Sequence, residues 1–439
     1  MLADGARLDA HRRGSTMTQD TKIKYAAVGC GGMGRRHLRG FGALHHSSMA
    51  NMQLVAAVDT NLEAAQFYAS EAHDLYGIEV RAFASVAEMK AAMPDVQAVD
   101  VTTDTGSHHR AVLACLEQDL HVLCEKPLAI TTGACDILLA EASRRHRVLS
   151  VAENFRRDPI NRLIRALIDD GAIGEPRLMI ETTIGGADRI VITPWRHMKH
   201  TGAITLDEGV HHADMLRYYL GEVATVYGET RLHEKVRHNT RSSGPGGFYA
   251  RYVNSFPDTI EPTGEDAIYA HLRFERGTVA HWVNDHAGHG RGQSGRFVYG
   301  SKGSIDSPGD RNGKPVTLHL TGHDPISGAE ILEHAPSYRL EPLAAELFGG
   351  ERVWTYEFEF NATDAKIMAL ELFELGECIR TGATPEVSGE EGRRDVALTY
   401  AAFESGRLGR AVTLDELLQA SHGPAYEYQA EIDRQIGLL

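Results

Sequence analysis

The chain has 439 residues, of which 42% are hydrophobic and 24% charged, and its formal net charge at pH 7 is −15. This composition is ordinary for a globular protein with a sizeable core, and at about 100–200 residues per domain the length predicts two to four domains. An acidic surface repels phosphate backbones, so we expect no nucleic-acid partner. The sequence has no apolar run of about 18 residues, so we also expect no membrane-spanning helix.

Cysteine usage and the N-terminal residues indicate a cytoplasmic protein. The five cysteines are an odd number and form no C-x-x-C pair, which argues against a disulfide framework or a structural zinc site. Residues 1–21 are polar and lack the apolar segment of a signal peptide. We therefore expect reduced thiols and a disordered tail at residues 1–21.

Short apolar strands alternate with helices from residue 23 to residue 152. Strands are predicted at residues 23–28, 54–58, 98–102, 121–124 and 148–152. Helices are predicted at residues 62–76, with Asn61 as the N-cap, and at residues 85–93, 107–116 and 131–145. Uninterrupted apolar strands separated by helices indicate a parallel sheet that is covered on both faces.

A glycine-rich turn follows the first predicted strand and opens a helix. The segment Gly29-Cys30-Gly31-Gly32-Met33-Gly34 matches the pattern G-x-G-x-x-G. In that pattern the first glycine permits a tight turn, the second lets the backbone approach a pyrophosphate at the helix N-terminus, and the third lets helix and strand pack closely. An ordinary glycine-rich turn is the alternative, but the flanking strand and helix favour a dinucleotide-binding Rossmann domain over residues 22–152.

Asp59 ends the second predicted strand. An acid at this position hydrogen-bonds the ribose hydroxyls and repels a 2′-phosphate. Thr60 and Asn61 follow it, with no arginine beside them. We therefore expect the cofactor to be NAD rather than NADP, unless an arginine from elsewhere in the chain overrides the acid.

Charged residues follow the buried strand at 121–124, in the sequence Glu125-Lys126-Pro127. Ligands of open α/β sheets bind outside the carboxyl ends of the strands. Lys126 is thereby placed to reach a substrate oxygen near the nicotinamide. A surface ion pair between Glu125 and Lys126 is the alternative.

After Pro159 the pattern changes to that of an α+β domain, predicted over residues 153–439. Helices are expected at residues 160–170, 363–380 and 393–405, and half-exposed antiparallel strands at residues 267–274, 278–283 and 296–299. Residues 235–264 and 308–351 are rich in polar residues, glycine and proline and predict long loops.

A further helix is predicted to begin near Thr205 and to end at Gly221. Asp207, His211 and Asp214 are spaced i, i+4 and i+7 and share one face of it. A carboxylate one turn from a histidine sets its tautomer and raises its basicity, which gives Asp207 and His211 a proton-transfer role. A surface ion pair is one alternative. A shared cation is another, but no third ligand accompanies the pair, and we expect no metal.

Together these motifs resemble the glucose–fructose oxidoreductase/inositol dehydrogenase (Gfo/Idh/MocA) family, over residues 24–417. The resemblance rests on the order of five markers along the chain. They are the glycine turn, Thr103 with His108, Glu125-Lys126-Pro127, Asp207-x-Gly209-x-His211-x-x-Asp214 and Pro385-Glu386-Val387-Ser388-Gly389-Glu390-Glu391-Gly392.

The resemblance implies a second domain with a large, open, mostly antiparallel sheet. Members of the family commonly associate through the exposed face of that sheet, which implies a homodimer or homotetramer. Lys126, Asp207 and His211 fall on the catalytic positions of the family. The residues implied to contact the cofactor, besides the glycine turn and Asp59, are Thr103, His108, Glu125 and Asn154. Arg156 lies in the segment that is near cofactor and substrate in relatives.

Departures from the family pattern leave the substrate open. Thr201-Gly202-Ala203 stands where the family often has three glycines, and Asp104 replaces the proline that usually follows the position of Thr103. The two long loops are also atypical.

The basic segment Trp195-Arg196-His197-Met198-Lys199-His200 stands out in this acidic chain. Aromatic faces suit sugar CH surfaces, and Arg or Lys suits hydroxyls or an anionic group, so we expect Trp195, Arg196 and Lys199 to bind substrate beside Lys126 and His211. Three interpretations are open: a clamp for an anionic group, a stacking platform for a neutral glycoside, and a structural salt-bridge cluster.

The resemblance therefore predicts an NAD-dependent oxidoreductase that acts on a hydroxyl of a sugar, polyol or glycoside. His211, oriented by Asp207, is the expected base and Lys126 stabilises the alkoxide, although these two roles are exchangeable. An NAD-dependent glycosidase, which oxidises, eliminates and re-reduces its substrate, is an alternative. A non-enzymatic NAD-binding sensor is another, but a sensor needs no proton-transfer group.

Overall fold

The structure, a computed structural model, describes residues 22–242, 245–419 and 423–438. The tail expected at residues 1–21 lies outside the described residues. The strands are β1 (Ile23–Val28), β2 (Met52–Val58), β3 (Arg81–Phe83), β4 (Ala98–Val101), β5 (His121–Glu125), β6 (Leu149–Ala152), β7 (Pro176–Gly186), β8 (Val223–Arg231), β9 (Arg237–His238), β10 (Thr259–Ile260), β11 (Ala267–Phe274), β12 (Val279–Gly288), β13 (Gln293–Gly300), β14 (Gly303–Ser307), β15 (Thr317–Leu320) and β16 (Val412–Thr413). The helices are α1 (Gly32–His45), α2 (Leu62–Tyr76), α3 (Val86–Ala92), α4 (His108–Glu117), α5 (Thr132–Arg145), α6 (Pro159–Asp169), α7 (Ala203–Asp207), α8 (Gly209–Leu220), α9 (Pro342–Phe348), α10 (Phe360–Thr381), α11 (Gly389–Leu408), α12 (Leu414–Leu418) and α13 (Glu427–Ile436).

Six parallel strands form the first sheet, in the order β3-β2-β1-β4-β5-β6. This is the strand order of a dinucleotide-binding Rossmann sheet, with its switch point between β1 and β4. The predicted Rossmann fold is confirmed. The sequence pattern does not reveal β3, because only Phe83 among its three residues is buried and no apolar run results.

Side-chain caps fix where the helices of this domain begin. Asn61 accepts a hydrogen bond from the backbone nitrogen of Glu63 at 3.1 Å, and Thr131 accepts one from the backbone nitrogen of Ala134 at 3.1 Å. Each bond satisfies an amide that has no partner within the helix. The cap predicted at Asn61 is confirmed.

Eight strands form the second sheet, in the order β15-β14-β13-β7-β12-β11-β8-β16. All neighbours are antiparallel except β7 and β12, which run parallel. The predicted large, mostly antiparallel sheet is therefore confirmed. One face packs against helices, as at Gly228 of β8, where a side chain would press on Ala402 of α11.

The long helix α10 lies in the second half of the sequence but packs on the first domain. Arg36 of α1 forms an ion pair with Asp364 of α10, with 2.7 Å between Nη2 and Oδ1. One turn later, Gly40 leaves room for the side chain of Met368. Residues that sequence analysis assigns to the second domain thus help to cover the first sheet.

The two stretches expected as long loops differ in structure. Residues 308–351 contain β15 and α9, because Val316, Leu318 and Leu343 are buried in the core, so the loop expected there is wrong in part. Residues 235–264 contain β9 and β10, two strands of two residues each that pair with one another. The loop between these strands reaches the first domain.

Candidate active site

One side of the glycine turn packs closely against neighbouring backbone, and its other side is open. Gly29 has a φ of +93°, and a Cβ there would lie 2.7 Å from the backbone nitrogen of Thr103. A Cβ on Gly34 would collide with the carbonyl oxygen of Gly29, whereas a Cβ on Gly31 would meet nothing within 4 Å. This shape lets a pyrophosphate approach the N-terminus of α1.

A cleft of about 830 Å³ lies in front of this turn, within the range of roughly 300–1,000 Å³ that small-molecule sites occupy. Asp59 forms part of the wall of this cleft. Its Oδ2 accepts a hydrogen bond from the Cys30 backbone nitrogen at 2.8 Å, and its Oδ1 accepts one from that of Asn61 at 2.9 Å. The expected cofactor residues that line the cleft are Gly29, Gly31, Gly32, Met33, Asp59 and Thr103.

Two expected cofactor residues support the loops behind the cleft. His108 is buried and connects the loops that follow β4 and β5, with its ring nitrogens 3.2 Å from the Thr103 carbonyl and 2.7 Å from the Pro127 carbonyl. Glu125 accepts a bond from His37 Nε2 at 3.0 Å. Burial would raise the pKa of Glu125, but the hydrogen bond and charge of His37 lower it to about 2. His108 and Glu125 are not among the described residues that line the cleft.

Asn154 follows β6 and is 5% exposed. Its Oδ1 has no hydrogen-bond partner among the residues that the structure describes. A buried amide oxygen is costly unless it is bonded, so this atom is suited to accept a bond from a bound ligand. The open front of Gly31, the volume of the cleft and the Asp59 carboxylate in its wall together fit a dinucleotide. Asn154 is not among the described residues that line the cleft.

Lys126 bridges the end of β5 to α7. Its Nζ donates to the carbonyl oxygen of Asp207 at 3.0 Å and to Asp207 Oδ1 at 3.1 Å. On the other side of this carboxylate, Arg196 Nη2 lies 3.1 Å from Asp207 Oδ2. All three side chains are buried, and each buried charge is therefore paired. The arrangement fixes the Lys126 ammonium in place.

His211 is held by Glu153 and not, as expected, by Asp207. Its Nδ1 lies 2.7 Å from Oε2 and 2.9 Å from Oε1 of Glu153. The ring of Phe155 stacks on the imidazole, with 4.3 Å between centroids and 5° between planes. Burial would raise the pKa of Glu153, but the charge and hydrogen bond of His211 lower it. Because Nδ1 donates to a carboxylate, Nε2 is the nitrogen left to accept a proton.

A break in the helix predicted near residues 205–221 explains this correction. Helix α7 ends at Asp207 and α8 begins at Gly209. The His211 amide donates to the Glu208 carbonyl at 3.2 Å, a three-residue spacing that replaces the i, i+4 pattern of a continuous helix. Asp207 and His211 consequently lose their common face and take different partners.

Asp214, also expected on the face of His211, binds Arg156 instead. The Arg156 Nε donates to Asp214 Oδ2 at 2.7 Å and to Oδ1 at 2.8 Å. The guanidinium lies over the ring of Tyr218, 5.1 Å from its centroid. Arg156 is therefore engaged by the protein, and it is not among the described residues that line the cleft where substrate contact was expected.

The basic segment does not form a cluster of free cations. Trp195 lines the cleft, and Arg196 pairs with Asp207 as described above. Lys199 Nζ lies 2.5 Å from Glu431 Oε2 of α13, and Lys199 is not among the described residues that line the cleft. Burial lowers the pKa of His197 to about 3, which leaves it neutral at pH 7. The salt-bridge cluster is the interpretation that fits these charges.

Sequence reasoning gave no individual role to three residues of the site, Glu153, Glu208 and Tyr249, although Glu153 begins the segment at residues 153–159 that lies near cofactor and substrate in relatives. Glu153 directly follows β6, so the strand-end argument applied to Lys126 was sufficient to find it. Burial would raise the pKa of Glu208, but Lys126, Arg196 and His211 lower it, which places this carboxylate near all three groups. Tyr249 lies in the predicted loop 235–264 and gave no signal of its own.

The described ranges contain no group of three His, Cys, Asp or Glu side chains that could hold a metal ion. The same ranges contain no helix of the length and apolar character needed to cross a membrane. All five cysteines are buried free thiols.

Two family models match the chain. Residues 23–153 match the oxidoreductase family with an NAD-binding Rossmann fold, and residues 161–306 match the Gfo/Idh/MocA C-terminal domain. Together the matches cover more than half of the sequence. The chain therefore belongs to the Gfo/Idh/MocA family of NAD-binding oxidoreductases, which confirms the predicted family and cofactor.

Similar proteins agree with this assignment. The inositol 2-dehydrogenase of Rhizobium meliloti is 30% identical over 89% of this chain and 99% of its own length. The myo-inositol 2-dehydrogenase of Thermotoga maritima is 27% identical over 74% of this chain and 82% of its own length. A levoglucosan dehydrogenase solved with NADH and L-sorbose superposes with a TM-score of 0.70 at 20% identity, over 91% of this chain and 100% of that one. The structural likeness supports the fold.

Proposed function

We propose that the chain oxidises a hydroxyl-bearing carbon of a neutral sugar or polyol and passes the hydride to NAD. The observation that carries this proposal is the hydrogen bond between Glu153 and His211, within range of the Lys126 charge, which lowers the pKa of Glu153. A histidine backed by a carboxylate is a base for a hydroxyl proton, and a fixed cation stabilises the oxygen that loses it. Relatives named for inositol and levoglucosan support a carbohydrate or polyol substrate.

The proposed reaction removes a proton and a hydride from one carbinol group. His211 Nε2 accepts the hydroxyl proton, and Glu153 stabilises the imidazolium that forms. Lys126, held by Asp207, stabilises the negative charge that develops on the oxygen while the ketone forms. NAD, when bound, supplies the hydride acceptor. Gly31 and Asp59 are the proposed contacts to its pyrophosphate and adenosine ribose, and Asn154 accepts a hydrogen bond from it or from the substrate.

The pairing of cations favours a neutral substrate. Arg196 and Lys199 each face a protein carboxylate, at 3.1 Å and 2.5 Å respectively. An anionic group would have to compete with these carboxylates for the same cations. Trp195 is left as the residue of the basic segment that contacts substrate, through stacking on a CH face.

We also propose a cytoplasmic homodimer or homotetramer. Tyr227 of β8 and Tyr299 of β13 are 52% and 42% exposed on the second sheet, and exposed aromatic patches favour association. Light scattering is expected to show an oligomer that Tyr227→Asp weakens. The same change at Ile137 of α5, which is 42% exposed on the first domain, is expected to leave its mass unchanged. A monomeric wild type would contradict this part of the proposal.

A substrate panel tests the proposed activity. Purified protein is mixed with NAD and neutral polyols, sugars and glycosides, and reduced nicotinamide and released aglycone are followed together. We expect NADH to accumulate with at least one neutral substrate. Release of aglycone without net NADH would overturn the proposal in favour of glycoside cleavage.

A further inference from the structure

Residues 245–258 lie between β9 and β10 and form a loop, named here the cleft loop. It belongs to the second domain by sequence but rests on the first. The guanidinium of Arg251 lies over the ring of Phe67 of α2, 4.2 Å from its centroid. At the base of the loop, Asn239 Nδ2 donates to the carbonyl of Val253 at 3.1 Å, and Phe248 and Val253 are buried. The middle of the cleft loop is therefore held both by the first domain and by Asn239.

Three aromatic residues of the cleft loop line the cleft in front of the glycine turn. They are Tyr249, Tyr252 and Phe256. With Thr193 and Trp195 they form the wall that the second domain contributes. A dinucleotide in the cleft would consequently lie against these rings.

Tyr249 packs directly on Gly32. A Cβ at Gly32 would lie 2.8 Å from Cε1 and 2.9 Å from Cδ1 and Cζ of the Tyr249 ring. Position 32 is a variable position of the pattern G-x-G-x-x-G, so phosphate binding alone does not require glycine there. The ring of Tyr249 supplies the steric reason for this additional glycine.

The phenol of Tyr249 also faces the charged residues of the site. Burial raises its pKa, Arg196 and Arg36 oppose this rise, and Asp207 adds to it. Tyr249 thus contacts the glycine turn at Gly32 and lies within range of the charge of Asp207, the carboxylate that holds Lys126. Those two places correspond to the pyrophosphate and the nicotinamide end of a bound dinucleotide.

We propose that Tyr249 is a cofactor-binding residue whose ring covers the pyrophosphate and nicotinamide half of NAD and slows its release. This inference rests on the proposed function, because it requires a bound dinucleotide. The ring removes cofactor surface from water, and the cofactor leaves only after the ring has moved away from Gly32.

The dissociation rate of NADH tests the role of the ring. Stopped-flow fluorescence follows NADH displaced from the full-length protein by excess NAD. Tyr249→Ala is expected to raise the rate by about tenfold, the effect of losing one aromatic contact. Tyr249→Phe, which keeps the ring, and Asn254→Ala, at an exposed position of the same loop, are expected to stay within about twofold of wild type.

A double-mutant comparison tests the contact with Gly32. Gly32→Ala is expected to displace the ring and to speed NADH release, but to add little in a Tyr249→Ala background, because the clashing ring is then absent. Gly31→Ala is the matched control. Its Cβ points into open space before the turn, so its effect is expected to add to that of Tyr249→Ala.

The outcomes separate this inference from the proposed function. If the wild-type protein binds no NADH, the proposed function fails and the inference fails with it. If the wild type binds NADH and Tyr249→Ala releases it at the wild-type rate, only the role of Tyr249 is overturned. The role of Tyr249 is also overturned if the effect of Gly32→Ala on NADH release adds to that of Tyr249→Ala as fully as the effect of Gly31→Ala does.

Discussion

Nδ1 of His211 in α8 lies 2.7 Å from Oε2 of Glu153, the residue that directly follows β6 of the first sheet. The next residue, His212, makes a similar contact, with Nδ1 2.6 Å from Oε1 of Glu181 in β7. Adjacent histidines therefore hold two separate carboxylates. We expect the pair of Glu153 and His211 to act in proton transfer. We expect the pair of Glu181 and His212, in which Glu181 belongs to the second sheet, to act in stability.

Replacing Glu153 tests the first pair. In Glu153→Gln, a neutral amide replaces the carboxylate and no longer stabilises the imidazolium that forms on His211. We expect kcat to fall by roughly 10- to 100-fold and the acidic limb of the pH–rate profile to move to lower pH. The measurement is kcat against pH with NAD and the best substrate of the panel.

Glu181→Gln is the matched control for this prediction. It removes a carboxylate that both His212 and Arg296 use, with Glu181 Oε2 2.7 Å from Arg296 Nε. The change is expected to lower the free energy of unfolding and to leave the acidic limb in place. A shift of the limb in Glu181→Gln, or none in Glu153→Gln, would discard Glu153 as the residue that positions His211.

Lys126→Met tests the stabilisation of the developing oxyanion. We expect kcat to fall by about 10²- to 10³-fold, the loss typical of removing one donor to such an oxygen. The melting temperature is expected to change little, because Asp207 keeps its ion pair with Arg196. Near-normal turnover in a folded Lys126→Met protein would exclude this role for Lys126.

Local patterns predicted most of the fold and part of the site. The strand, glycine turn and helix around Gly29 are adjacent in sequence, and Lys126 is marked by its place at the end of a strand. These signals need no knowledge of the rest of the chain, and the structure bears them out.

The partners of the site residues depend on packing between distant segments, and sequence pattern did not predict them. The break at Glu208 separates Asp207 from His211, and the approach of β6 to α8 gives His211 a different carboxylate. Likewise, the contact between Gly32 and Tyr249 joins a turn of the first domain to a loop of the second. The periodicity of apolar residues reflects the faces of single helices and strands, so it does not predict contacts between distant segments.

Asp59→Asn tests cofactor selection. The amide keeps only one of the two oxygens that accept hydrogen bonds from the Cys30 and Asn61 backbone nitrogens, and it lacks the charge that repels a 2′-phosphate. We expect the ratio of the NADP to the NAD dissociation constant to fall by about tenfold. Equal or tighter binding of NADP by the wild type would contradict the assignment of Asp59.

His286 predicts how stability depends on pH. Burial lowers the pKa of His286 to about 4 from an ordinary value of 6.5, so between those values the unfolded chain binds the extra proton. Stability is therefore lost as pH falls below about 6.5, and His286 accounts for about 2 kcal/mol of the loss by pH 5.

Chemical unfolding at pH 7 and pH 5 checks this prediction. His286→Gln, which cannot titrate, is expected to lose about 2 kcal/mol less than wild type between these pH values. His271→Gln, on the exposed face of β11, is the control and is expected to behave as wild type. An equal loss in wild type and His286→Gln would contradict the account.

Isotope labelling of the carbinol hydrogen tests the proposed hydride transfer from substrate to NAD. The active substrate of the panel, deuterated at its carbinol carbons, is incubated with NAD, and the reduced cofactor is analysed by mass spectrometry and NMR. We expect one deuterium at C4 of the nicotinamide with wild type, and transfer at less than about a hundredth of the wild-type rate with His211→Asn. Absence of deuterium from the reduced cofactor, or transfer at the wild-type rate by His211→Asn, would contradict the proposed reaction.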